Sequence, residues 1–167
     1  MKISAMTEAT TIEDDDQFVI VQDSSGENRR VKMSNLTNYF PQFVKVSLTA
    51  AQVKALNSVP VLAVAAPGNG FAIEVVSASA SLTYGSVAFL NAGLQIKTDT
   101  ATTIQASTHS AFLPATNSIF QRIISATTSA NLIQLVDNKG LYITAAADSA
   151  NGDSTVDIYI LYRIITL

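Results

Sequence analysis

Cysteine is missing from the 167 residues. That absence removes disulfide staples and thiolate metal sites, so stability must come from burial or from association with other chains. Histidine occurs once, at His109, which excludes the ordinary zinc sites. Long apolar runs are missing too. No uninterrupted stretch approaches the roughly 18 residues that cross a bilayer, and Met1 to Glu8 contains no apolar signal core. These features lead us to expect a soluble, cytoplasmically made product with no membrane partner.

Positive charge is scarce. Ten Lys and Arg face 13 Asp and Glu, for a net charge of −3 and a pI near 4.9. This is not the basic footprint that nucleic-acid binding leaves, so no nucleic-acid partner is expected. The distribution says more than the sum. Residues 1–42 carry Glu8, Glu13, Asp14, Asp15, Asp16, Asp23 and Glu27 against Lys2, Arg29, Arg30 and Lys32, whereas residues 43–167 hold only six charges of each sign. A body so poor in charge and rich in Ala, Ser and Thr suggests an outer surface partly covered by partners.

What is present is a chain that should fold, because 48% hydrophobic and 14% charged residues exclude a disordered composition. Gln17 to Gln22 reads as a strand, Asp23 to Glu27 as a turn, and Asn28 to Met33 as an alternating return strand. Ser34 can cap a short helix over 35–40 that Pro41 helps to end. Such a unit buries too little to stand alone and should dock on something else. After a reset at Pro41-Gln42-Phe43, Val44 to Leu48 alternates and Thr49 offers an N-cap to Ala50 to Leu56. The apolar run Val59 to Ala66 is expected to turn at Pro67-Gly68-Asn69-Gly70 and return as a hairpin through Phe71 to Val76. Further strands are expected at Ala78 to Tyr84, Val87 to Leu90, Leu94 to Thr98, Ile119 to Ile124, Leu132 to Val136, Leu141 to Ala145 and Thr155 to Ile165. Many short strands without a crossover helix argue for a mostly β fold, an antiparallel β-sandwich of jelly-roll type.

The closing strand carries the most information. Val156, Ile158, Ile160, Tyr162 and Ile164 make a core face, while the other face bears Asp157 and Arg163 together with Tyr159, Leu161, Ile165 and Leu167. Apolar side chains on both faces of an antiparallel strand require a second cover. Either a loop of the same subunit lies over it, or it is a subunit interface with an apolar centre and a polar rim. The low charge of the body favours the interface.

Chemistry is hard to assemble. His109 lies in the polar stretch Ser107 to Ser110, no G-x-S-x-G nucleophile turn occurs, and a solvated loop histidine is the expected reading. Glu13 to Asp16 could face a cation, but four adjacent carboxylates point in different directions, so a solvated turn is expected. Asp148 to Asp153 lacks the spacing of a calcium loop. Gly68 and Gly70 precede a β-branched run rather than a helix, which suits a hairpin and not a phosphate cradle. Arg29, Arg30 and Lys32 share their segment with seven carboxylates and no aromatic platform. The six acids of the body are spread widely, against a glycosidase-type pair. No catalytic, cofactor or metal residue is assigned, and no enzyme activity is expected.

Two stretches carry a resemblance. Ile12-Glu13-Asp14-Asp15-Asp16-Gln17-Phe18-Val19-Ile20-Val21-Gln22-Asp23, followed by Arg29-Arg30-Val31-Lys32-Met33-Ser34-Asn35-Leu36, resembles a segment near the N-termini of phage tail-fibre, head-fibre and decoration proteins: an acidic turn, an apolar strand, a basic strand and an S-x-L helix start. Val46 to Val61, continuing through Ala65 to Gly70 and the closing Ile158 to Ile165, is similar to β-sandwich virion proteins that assemble as trimers. The resemblance implies a virion protein of the capsid-decoration or head-fibre kind, since no long fibre shaft is present. It implies attachment through residues 1–42, with Phe18, Val19, Arg29, Arg30 and Leu36 docking on a major capsid or other virion protein. It implies that a β-sandwich of residues 44–167 assembles as a homotrimer, and Tyr159, Leu161, Ile165 and Leu167 are the expected subunit interface. A tail-fibre-type receptor or glycan-binding module is the alternative. Few aromatics fall in the expected loops, which counts against it.

Overall fold

The computed structural model describes residues 17–21, 28–32, 40–90, 93–98, 103–125 and 135–167. The chain divides into two compact units, Met1–Phe40 and Pro41–Leu167. In the first, β1 (Gln17–Val21) and β2 (Asn28–Lys32) form an antiparallel pair, with Gln17 opposite Lys32 and Val21 opposite Asn28. The helix expected over 35–40, with Leu36, lies outside the described residues except for Phe40.

The second unit holds β3 (Gln42–Leu48), α1 (Ala50–Lys54), β4 (Val61–Val64), β5 (Phe71–Thr83), β6 (Leu94–Thr98), β7 (Thr103–Ser107), β8 (Ile119–Ser125), β9 (Leu141–Ala145) and β10 (Thr155–Thr166). Neighbours run β3-β10-β5-β8 in one sheet and β7-β6-β9-β4 in the other, all antiparallel. β8 bridges the two at a corner, where Ala106 and Ser107 of β7 face Ser125 and Ile124. Apart from the β6–β7 hairpin, each connection passes from one sheet to the other. This interleaving is the jelly-roll form of a β-sandwich, which leaves β3 and β4 as edges.

Alternation fills the space between the sheets. Val156, Ile158 and Ile160 of β10 stand in register with Leu82, Ala80 and Ala78 of β5 and with Leu48, Val46 and Val44 of β3. Leu94, Ile96, Leu141 and Ile143 enter the same core from the opposite sheet. One end of the sandwich is closed by α1. Thr49 caps it reciprocally with Gln52, the Gln52 N–H donating to Thr49 Oγ1 at 3.3 Å and the Thr49 N–H to Gln52 Oε1 at 2.9 Å. Val53 and, just beyond the helix, Leu56 are fully buried beneath it.

Loops at that end are tied to one another by side chains. Asp153 accepts the Ser86 N–H at 2.8 Å, the Val87 N–H at 2.9 Å and the Ser86 hydroxyl at 2.6 Å. Asp148 accepts the N–H groups of Asn57 at 2.8 Å and Ser58 at 3.0 Å. Ser118 Oγ accepts the Tyr84 N–H, and Ser149 Oγ accepts that of Leu90. The polar run Asp148 to Asp153, whose residue types resemble cation ligands, therefore supplies acceptors to neighbouring loops.

Several expectations are corrected by the topology. β4 pairs with β9, so Pro67 to Gly70 does not close a hairpin but carries the chain between sheets. Gly68 and Gly70 take φ of +104° and +81° there, and Gly70 N–H is held by Asp137 Oδ1 at 2.8 Å. The two strands expected over 71–76 and 78–84 are one, β5, because the irregularity at Val76 is a bulge and not a turn. Val87 to Leu90 is not a strand; Phe89 is buried there as a loop anchor. β3 starts at Gln42, two residues before the expected position. β7 was not foreseen. Leu132 to Val136 falls mostly outside the described residues, and Leu135 and Val136 are not in a strand.

Candidate interaction surface

The outer face of the β3-β10-β5-β8 sheet follows from register. Residues paired across an antiparallel ladder share a face. Ser47, Asp157, Ser81 and Phe120 therefore form one row, Lys45, Tyr159, Ser79 and Arg122 the next, and Phe43, Leu161 and Ser77 a third. The small side chains of β5 leave a serine trough between an apolar ridge on β3 and β10 and the side chains of β8.

The ridge is ordered by contacts within the sheet. The Phe43 and Tyr159 rings stack with centroids 6.3 Å apart at 24°. Lys45 Nζ lies 5.5 Å from the Tyr159 ring centroid and 2.9 Å from Asp157 Oδ2, so the cation covers the ring while paired to a carboxylate. The Ser47 hydroxyl donates to Asp157 Oδ1 at 2.6 Å. Ser47 first and Lys45 second hold the Asp157 carboxyl below its ordinary range, and Asp157 raises Lys45 in turn. Ion pair and serine thus border an aromatic centre. Phe43 remains 65% exposed and Phe120 68%.

Of the residues expected at the interface, Tyr159 and Leu161 are half-buried and lie together on this ridge. Ile165 and Leu167 come further along the chain, past Arg163. Beyond the Val76 bulge, β10 continues through Arg163, paired with Glu74, to Ile165 opposite Ala72 and to the exposed Leu167, whose N–H donates to Gly70 O at 3.0 Å. Tyr159, Leu161 and Ile165 share the alternation of the unbroken β10, with Arg163 and its Glu74 partner set between Leu161 and Ile165, and Leu167 follows the strand. Phe43 and Phe120, the most exposed rings of this face, were absent from the expected set. For Phe43 the signal was present: starting the alternation at Gln42 puts Phe43, Lys45 and Ser47 on one side.

Of the expected docking residues, Phe18 and Val19 stand in β1 and Arg29 and Arg30 in β2, with Phe18 opposite Val31 and Val19 opposite Arg30. Leu36 lies outside the described residues. His109 is exposed in the loop after β7, where its Nδ1 accepts the Ala111 N–H at 3.2 Å. Among the described residues there is no group of three or more His, Cys, Asp or Glu placed to hold a metal ion, and no helix is long and apolar enough to cross a membrane.

No protein-family model and no curated protein matches the sequence. Among solved structures, a chain of the "Cyanophage Pam1 capsid asymmetric unit" aligns with a TM-score of 0.46 at 12% identity, over 97% of this chain and 96% of that one.

Proposed function

We propose that this chain is a structural, non-enzymatic protein of a phage particle, a capsid-decoration or head-fibre subunit. In this reading it associates with its own copies through the outer face of the β3-β10-β5-β8 sheet, as a trimer, and attaches to a virion protein through residues 1–42. The observation that carries the proposal is the Phe43–Tyr159–Leu161 ridge, an aromatic and aliphatic centre bordered by the Lys45–Asp157 ion pair, on a body with few charges. That arrangement is the anatomy of an association surface. The resemblance of Ile12 to Leu36 to attachment segments supports the second half of the reading.

Its mechanism is mass action with several attachment points. Each copy contributes a weak contact to the shell, and self-association turns the later contacts into intramolecular ones. The test is electron microscopy of the encoding phage's particles with the full chain, with a chain lacking residues 1–42, and with neither. Added density should occur with the full chain only. Equal density with the truncated chain would refute attachment through that segment.

A further inference from the structure

In an Asn-Gly dipeptide the glycine nitrogen can attack the preceding side-chain amide with little hindrance, because glycine carries no Cβ to obstruct the approach. The chain holds this dipeptide at Asn69-Gly70 and at Asn151-Gly152, and both asparagines are exposed. Exposure therefore does not separate them; hydrogen bonding does. Gly70 N–H donates to Asp137 Oδ1 at 2.8 Å, Gly70 O accepts the Leu167 N–H at 3.0 Å, and Asn69 Oδ1 accepts from Asn138 Nδ2 at 2.8 Å. Nucleophile and side-chain amide are both tied to other partners there. At the second site, the Asn151 side chain and the Gly152 N–H make no hydrogen bond among the described residues.

The peptide group between Asn151 and Gly152 is also activated by a buried neighbour. Ser149 is 6% exposed and is fixed by its own N–H, which donates to Lys54 O at 2.8 Å. Its Oγ accepts the Leu90 N–H at 2.9 Å, so its single hydroxyl proton is left for Asn151 O, at 2.8 Å. When the Gly152 nitrogen loses its proton, amide resonance shares the negative charge with that same oxygen. A fixed donor aimed at the oxygen stabilises the anion as it forms. The second site thus combines a free nitrogen, a free side-chain amide and a donor placed where charge develops.

We propose that Asn151 is a self-modifying site, deamidating in the folded chain while Asn69 is spared, with Ser149 as its positioning residue. Hydroxide takes the Gly152 N–H proton and the nitrogen attacks Asn151 Cγ. A Cγ–N bond forms, and the Cγ–Nδ2 bond breaks with release of ammonia. Water then opens the succinimide ring. Attack at Cγ leaves aspartate, and attack at the main-chain carbonyl leaves isoaspartate, so water is consumed, ammonia is lost and no electrons are transferred. Either product adds a carboxylate between Asp148 and Asp153. Isoaspartate also lengthens the main chain by a methylene beside Phe89, where Gly152 leaves no room even for a Cβ. The loop end of the sandwich therefore gains negative charge with age, independently of self-association and of attachment.

The test incubates the full chain in mildly alkaline buffer made with heavy-oxygen water and follows both asparagines by peptide mapping and mass spectrometry. In the folded chain Asn151 should convert about tenfold faster than Asn69 and carry heavy oxygen, and in urea, where the ties at both sites are lost, the two rates should converge. Ser149→Ala should slow Asn151 by about tenfold with circular dichroism unchanged, and Ser149→Thr should restore the rate. A serine that only held the loop in place would give the opposite sign, because a loosened loop cyclises faster. An Asn151 that does not convert, equal rates at the two sites in the folded chain, a selectivity that persists in urea, or a rate unmoved or raised by Ser149→Ala would overturn the proposal.

Discussion

Gly152→Ala should damage this protein far more than the loss of a loop glycine normally does. The residue sits just before β10 with φ of +115°, and a Cβ placed on it would lie 2.6 Å from Phe89 Cγ and closer still to Cδ1. Backbone strain at such a φ costs on the order of 1–3 kcal/mol for a residue with a side chain. The ring has no free room, since Phe89 is 1% exposed in the core. Displacing it forfeits about 1.5–3 kcal/mol of burial. Together these reach roughly 3–6 kcal/mol, a large share of the about 5–15 kcal/mol that stabilises an ordinary domain. With a urea dependence of about 1–3 kcal/mol per molar, the unfolding midpoint should fall by roughly 2 M. A double-mutant cycle separates the two causes. In a Phe89→Ala background the clash is gone, and only about 1–3 kcal/mol of strain should remain. An equal penalty in both backgrounds would refute the packing argument, and a small penalty in the parent would refute both.

Acid should loosen the loop end of the sandwich. Hydrogen bonds from Ser86 and the Val87 N–H hold Asp153 below its ordinary value, as those from Ser58 and Asn57 do for Asp148. Because the folded carboxyls are depressed, their contribution is complete above the ordinary carboxylate pKa of about 4 and is lost as pH falls through that value toward the folded one. Melting temperature should drop over that window, and Asp153→Asn should flatten the drop; an unchanged slope would count against the assignment. Gln105→Ala should cost about 1–3 kcal/mol in urea unfolding, because it strips partners from the Val75 N–H and Ile73 O. A neutral result would show that those two groups are satisfied by other means.

Much of the sandwich was legible because its strands obey simple alternation. β10 could be read almost to its ends, and Thr49 announced α1, since cap chemistry and period-two patterning are local properties. What failed was non-local. Whether Pro67 to Gly70 joins two strands of one sheet or passes between sheets depends on where β9 lies, and nothing within those residues records it. β7 was missed because Thr103 to Ser107 is mostly polar, yet Gln105 is buried with its amide spent on β5. Val87 to Leu90 imitated a strand because Phe89 must be apolar to fill the end of the core. The outer face was half read. Tyr159 and Leu161 stood out within one strand, but Phe43 and Phe120 join them only through the register of β3 and β8. Ile165 and Leu167 follow Tyr159 and Leu161 along the same chain beyond Arg163, whose pairing with Glu74 is set by the register of β5 and not by the sequence of β10.

Sedimentation velocity of the full chain, compared with Phe43→Glu/Tyr159→Glu, tests the central claim most directly. The account predicts that the parent sediments at micromolar concentration as an assembly about three times the 17.7 kDa protomer mass, and that the double variant sediments as a monomer with its circular dichroism intact. A parent that stays monomeric, or an assembly indifferent to two carboxylates placed in the middle of its supposed contact, would contradict it.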